Sequence, residues 1–207
     1  MDVHNFVAGL IIGFSIAAPV GPIGVLCIRR TLTSGRLSGL VSGLGAATAD
    51  GLYGCVAAFG LTFISNILIH QQVWLRLLGG LFLCYLGLKA FISIPDDPAA
   101  QSSRPTLFSS YASTFFLTLT NPLTILSFAA IFAGLGVKLG QSDYAIATVT
   151  VLGVFLGSAC WWVLLTSVVH LVRTRFQPSG LLWVNRISGM VILGFGIFAL
   201  AGMVSLL

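Results

Sequence analysis

Glutamate is absent from this 207-residue chain, and charge of either sign is scarce, with Asp, Lys and Arg together making up 7% of it. A soluble domain carries about 25% charged residues, so too few are present to cover an ordinary water-facing surface. The four cysteines, Cys27, Cys55, Cys84 and Cys160, include no C-x-x-C pair, and neither a disulfide framework nor a zinc site is indicated. The histidines His4, His70 and His170 are far apart and lie near the ends of apolar runs, which suits interfacial residues better than metal ligands. No carboxylates pair within an apolar run and no nucleophile has a nearby His, which argues against a membrane enzyme. No cofactor or metal is implied. The opening Met1-Asp2-Val3-His4 lacks the basic region of a signal peptide, so the first apolar run reads as a retained span even though Ala17-Ala18 resembles a cleavage site.

What is present is apolar: 57% of the residues, with a mean hydropathy of +1.04. Apolar runs fall at about 5–28, 38–64, 74–94, 108–136, 144–171 and 181–206. Each is long enough to cross a bilayer, which takes about 20 residues. The predicted fold class is therefore an all-α membrane protein of about six transmembrane helices, forming one domain over 1–207. The net charge of +5 would suggest nucleic-acid binding in a soluble protein. Here it orients the chain in the lipid. The first, third and fifth connections hold Arg29, Arg30, Arg36, Lys89, Arg104, Arg173, Arg175 and Arg186, against only Arg76 and Lys138 on the other side. Eight against two predicts a multi-pass protein with both termini outside.

Only the third connection has linker character, with Pro95-Asp96-Asp97-Pro98 and Ser102-Ser103-Arg104-Pro105. It separates a half of about 1–94 from one of about 108–207, three spans each. Arg-x-x-Gly recurs after a tryptophan at Trp74-Leu75-Arg76 and Trp183-Val184-Asn185-Arg186, with the arginines 110 apart, and Pro22 and Pro122 are 100 apart. Halves with an odd number of spans must run in opposite directions, so a repeat between them is an inverted one, as in many secondary transporters.

Three places are costly in hydrocarbon. Pro19-Val20-Gly21-Pro22 interrupts the first run, where proline removes a helix hydrogen bond and clashes with the preceding turn. In the fourth run, Asn121-Pro122 puts an N-cap residue before a proline suited to the first helical position, so a helix is predicted to begin in mid-membrane. Such a helix start presents free N–H groups and partial positive charge to a cavity, which suits a carboxylate. Asp50 lies halfway along the second run, where a charge is functional by default. Gly43, Ala46, Ala47, Gly54 and Ala57 share its helix face, so the carboxylate should face protein or trapped water. Its candidate roles are proton carrier, counter-charge to a cationic substrate, or a structural contact with Tyr53 or a hydroxyl on another helix. Ser158 with Trp161-Trp162 is a weaker candidate, and Gly153 and Gly157 read as packing notches.

Pro19-Val20-Gly21-Pro22, then Gly35-Arg36-Leu37-Ser38-Gly39 through Gly43-Leu44-Gly45 to Asp50, then Asn121-Pro122-Leu123-Thr124-Ile125-Leu126 together resemble the LysE/RhtB family of amino-acid exporters. Many members of that family read Pro-Gly-Pro where Val20 and Gly21 here separate two prolines. The resemblance implies proton-coupled secondary export of amino acids or related small metabolites from the bacterial cytoplasm across the inner membrane. Gly21, Pro22, Asn121 and Pro122 would hold the substrate carboxylate, and Asp50 its ammonium or a proton. The expected partners are lipid, protons and a small-molecule substrate. A homo-oligomer is a further open partner. Export of another solute or a metal cation, or a non-transporting scaffold that assembles with other membrane proteins through its glycine-rich faces, are the alternatives.

Overall fold

A computed structural model describes residues 2–19, 21–58, 71–93, 106–121, 124, 125, 127, 128, 144–173 and 178–204. Among these there are seven helices: α1 (Asp2–Ala17), α2 (Pro22–Ser34), α3 (Arg36–Ala58), α4 (Gln72–Ile92), α5 (Leu107–Leu119), α6 (Tyr144–Arg173) and α7 (Pro178–Val204). Helices α3, α4, α6 and α7 are each long and apolar enough to cross a membrane, and α1 with α2 forms a further candidate span, broken in the middle. The 13 residues of α5 are apolar but rise only about 20 Å at 1.5 Å per residue, short of the roughly 30 Å of hydrocarbon. A sixth span would need the chain beyond Asn121, where Thr124, Ile125, Ser127 and Phe128 are helical and their neighbours lie outside the described residues.

The break in the first span has a local cause. Helix α1 stops at Ala17, and the chain resumes at Pro22 with its axis turned by 79°. Gly21 is the N-cap of α2, with extended backbone (φ −103°, ψ −165°), and Pro22 takes the first helical position, where its missing N–H costs nothing. The Gly21 carbonyl accepts the first helical bond from the Val25 amide at 3.0 Å. At the other end Gly35 adopts φ 101°, a left-handed conformation that glycine reaches without a Cβ clash, and this lets α3 begin one residue later.

Because the break delays its start, α2 runs to Ser34 rather than stopping near residue 28. This corrects the placement of Arg29 and Arg30, which lie within a helix and not in the first connection; Arg36, Lys89, Arg173 and Arg186 likewise fall within α3, α4, α6 and α7. Arg30 is only 5% exposed.

Bilayer helices gain no hydrophobic stabilisation from touching one another, so close backbone approach at small residues holds them together. Helix α1 packs along α6, α4 along α7, and α3 against both α5 and α6. A Cβ added to Gly13 would come within 2.7 Å of the Val154 carbonyl carbon, and one on Gly157 within 2.9 Å of the Phe14 nitrogen, so α1 and α6 lie backbone to backbone. Gly87 with Gly189, and Gly80 with Gly196, do the same for α4 and α7. The reading of Gly153 and Gly157 as notches thus matches their place against Phe6, Leu10 and Phe14.

Candidate functional site

A cavity of about 230 Å³ opens where α1 ends and α2 begins. The helix break contributes Pro19, Gly21, Pro22 and Gly24, while α3 contributes Ala46 and Asp50. Thr118 and Asn121 come from the end of α5 and the residue after its cap, Thr124 and Ser127 from the helical stretch beyond, and Trp162 from α6. Gly21, Pro22, Asp50 and Asn121, four of the residues singled out in the sequence, therefore line one space. Pro122 lies outside the described residues.

The second chain break resembles the first. Helix α5 ends at Leu119, and the Asn121 carbonyl accepts a helical bond from the Ile125 amide at 3.2 Å, as Gly21 does from Val25. The Asn121 side-chain amide donates to Thr124 Oγ1 at 3.0 Å. Two helix starts thus border the cavity, and a helix start carries partial positive charge with free N–H groups.

Asp50 is 3% exposed and accepts a 2.7 Å hydrogen bond from the Ser158 hydroxyl on its Oδ2. Ser158 in turn accepts from Trp162 Nε1 at 3.2 Å, so α6 orients the carboxylate through a two-step relay. The small face of α3 lies against α6: Gly43 sits on Trp162 and Gly54 on Val154. The hydroxyl across the helix interface is Ser158, whereas Tyr53 donates to the Leu119 carbonyl at 2.6 Å, one of those left free where α5 stops. Tyr53 thus supports the second break rather than the acid.

Sequence reasoning missed a polar layer below the cavity. Arg30 donates from Nη1 to Ser42 Oγ, the Ser110 carbonyl and Thr114 Oγ1, each at 2.9 Å, and from Nη2 to Ser113 Oγ at 2.7 Å. All four acceptors are uncharged. Arg29 Nε donates to Asn185 Oδ1 at 2.9 Å, and Asn185, 1% exposed, donates to the Ser93 carbonyl. The signal for this layer was the i, i+3, i+4 clustering of hydroxyls at Ser38 and Ser42 and at Ser110, Ser113 and Thr114, at the starts of two helices. A second hollow of about 600 Å³, between α4 and α5, is bordered by Phe82, Phe108 and Phe116, and its lining residues carry no ionisable group. It offers no chemistry. His4 and His170 are exposed, and His70 lies outside the described residues.

A family profile described as "LysE type translocator" matches residues 14–202. Among individual relatives, YcgF of Bacillus subtilis, whose name describes it as an amino acid efflux protein, is 29% identical over 198 residues, covering 93% of both chains. The chemotactic transduction protein ChpE of Pseudomonas aeruginosa is 27% identical over 206 residues, covering 96% of this chain and 98% of its own. The threonine efflux protein of Salmonella typhi is 23% identical over 192 residues, covering 86% of this chain and 88% of its own. No solved structure gives a significant match.

Proposed function

The chain belongs to the LysE type translocator family, and we propose that it is a proton-coupled secondary exporter of amino acids or related small metabolites across the bacterial inner membrane, with the cavity at the helix breaks as its substrate site. The observation that carries this reading is the convergence of two helix starts and one buried carboxylate on a single space. An amino acid has the complementary pattern. Its carboxylate faces the amides that follow Gly21-Pro22 and Asn121-Pro122, and its ammonium faces Asp50. The spans hold no acid besides Asp50, since Asp2, Asp96, Asp97 and Asp143 fall at the N-terminus and in connections. One acid neutralises one cation, which favours zwitterions with uncharged side chains over dibasic ones. It also makes Asp50 the group that takes a proton when the substrate leaves.

The architecture that suits this role is a pair of inverted halves, about 1–94 and 108–207. In its support, the helix-start bonds from the Val25 amide to Gly21 and from the Ile125 amide to Asn121 repeat at an offset of 100. Gly45 lies against the carbonyl of Tyr111 and the amide of Phe115, and Gly153, 108 residues on, lies against the carbonyl of Phe6 and the amide of Leu10. Exchanging the halves turns the α3–α5 contact into the α6–α1 contact and leaves α3–α6 and α4–α7 as themselves. Asp50 and Ser158 also differ by 108, so the hydrogen bond between them sits on the axis of exchange. Alternating access at that axis would present the acid to each face in turn.

Reconstitution tests the reading. Proteoliposomes loaded with a panel of neutral, acidic and basic amino acids should lose the neutral ones when a pH gradient is imposed. A panel giving no flux under any gradient would count against export and in favour of a scaffold.

A further inference from the structure

We propose that Arg30, assisted by Arg29, is the latch of a gate that closes the cytoplasmic end of the cavity, and that half-helix α2 is the part that moves. This rests on the exporter reading for its purpose, though not for its test. On each of three helices the Arg30 layer lies at least one turn from the cavity and on the same side of it. Ser42 is one turn from Ala46 on α3, Thr114 one turn from Thr118 on α5, and Arg30 six residues, about 9 Å, from Gly24 on α2. Between the two layers the protein is closed, with Leu26 at 2%, Cys27 at 0% and Leu117 at 1% exposure, and the Cys27 side chain belongs to the same packed cluster as Ala46 and Trp162 of the cavity wall. With Arg29 and Arg30 left out, Arg36, Lys89, Arg104, Arg173, Arg175 and Arg186 at this end against Arg76 and Lys138 at the other put it on the cytoplasmic side.

Two features distinguish a latch from an ordinary strut. A buried guanidinium is costly, and carboxylates are the usual compensation. Arg30 has instead three hydroxyls and one backbone carbonyl, all neutral, and each of the hydroxyls also donates to a carbonyl of its own helix. Those hydroxyls keep a partner when the arginine withdraws, so the layer opens without leaving them orphaned. Second, the two arginines reach in different directions from one short helix. Arg30 joins α2 to α3 and α5, and Arg29 joins it to α7 and, through Asn185, to the end of α4. Helix α2 also follows a chain break and precedes the left-handed Gly35, so it is hinged at both ends.

Cys27 provides the reporter, because it is sealed when the gate is closed. The experiment uses the full chain with Cys55, Cys84 and Cys160 replaced by alanine. A membrane-impermeant maleimide is applied to inverted and to right-side-out vesicles. Without further change, Cys27 should react slowly in both. Arg30→Gln should speed its labelling at least about tenfold in inverted vesicles only, since charge-assisted hydrogen bonds are lost. Arg30→Lys, which keeps the charge but loses the fork, should fall between. If Arg30→Gln does not fold, Thr114→Val removes one acceptor and should give a smaller acceleration on the same side. Labelling unchanged in folded variants, equal acceleration in both vesicle types, or acceleration confined to right-side-out vesicles would each overturn the proposal. None of these readouts needs a substrate, so failure of the export assay and failure of the gate are separate results.

Discussion

Replacing Asp50 with asparagine removes one ionisable oxygen and almost no volume, so it asks what the charge contributes at an unchanged site. The hydroxyl of Ser158, 2.7 Å away, can donate to the amide oxygen as it does to the carboxylate, and Trp162 still donates to Ser158. Insertion and folding should therefore survive. Hydrogen bonds to charged groups contribute about 1.5–3 kcal/mol and neutral ones about 0.5–1.5 kcal/mol. Losing the charge opposite a substrate ammonium should thus cost about 1–2 kcal/mol, or roughly 5- to 30-fold in affinity. The effect on coupling is larger in kind. No other acid lies in the spans, so nothing can carry a proton in its place. In proteoliposomes with an imposed pH gradient, Asp50→Asn should reduce uphill efflux to the leak rate, while exchange of labelled for unlabelled substrate persists at higher substrate concentration. Efflux that still follows the gradient with unchanged slope would remove Asp50 from the mechanism.

Ser158→Ala leaves the carboxylate in place. Side-chain hydrogen bonds between membrane helices contribute about 0.6 kcal/mol on average and at most about 1.7, so efflux should slow by less than about 20-fold and stay coupled to the pH gradient, as initial rates at two gradients would show. Gly157→Ala forces a Cβ against the Leu10 carbonyl of α1, and overpacking of this kind costs about 1–3 kcal/mol. Its melting temperature in detergent should fall, whereas Gly194→Ala, with nothing within 4 Å of the added carbon, should leave it unchanged. Exchange of one proton for one zwitterion moves a single positive charge inward per cycle, so a potassium diffusion potential, negative inside, should accelerate export of a neutral amino acid. A rate indifferent to potential would exclude that stoichiometry.

Hydropathy located α3, α4, α6 and α7 because the lipid acts on every residue of a helix at once, and the ends of α4, α6 and α7 fall within a few residues of the apolar runs. The break at Gly21-Pro22 was equally legible, since proline acts through its own backbone and needs no tertiary partner. Asp50 stood out for the same reason: a carboxylate in hydrocarbon is conspicuous wherever its helix lies. The partner of that acid was less accessible. Nothing in the sequence chooses Ser158 over Tyr53, because the choice depends on which helix lies against the small face of α3. Arg30 was misread outright. A charge at the end of an apolar run looks like a membrane boundary, and only the placement of Ser42, Ser110 and Thr114 from two other helices reveals a buried site.

The helices also differ in how they are held, and the difference bears on which of them moves. Glycine pairs bring α1 to α6 and α4 to α7 until their backbones touch. Such contacts involve many atoms along a helix and lose about a quarter to a half of their dispersion energy within an ångström of separation, so those pairs should travel as rigid units. Among the described glycine contacts, α2 shows a single one, Gly39 of α3 against Thr31 and the Cys27 carbonyl, rather than a seam of this extent. Its far end is tied instead through the side chains of Arg29 and Arg30. Hydrogen bonds to long side chains can lengthen, rotate and re-form with new acceptors as a helix tilts, and a backbone seam cannot. Since α2 also bears the helix start that faces the cavity, a tilt that breaks the arginine contacts would reorient the amides that follow Gly21-Pro22. Opening the gate and reshaping the substrate site are then one motion of a 13-residue helix.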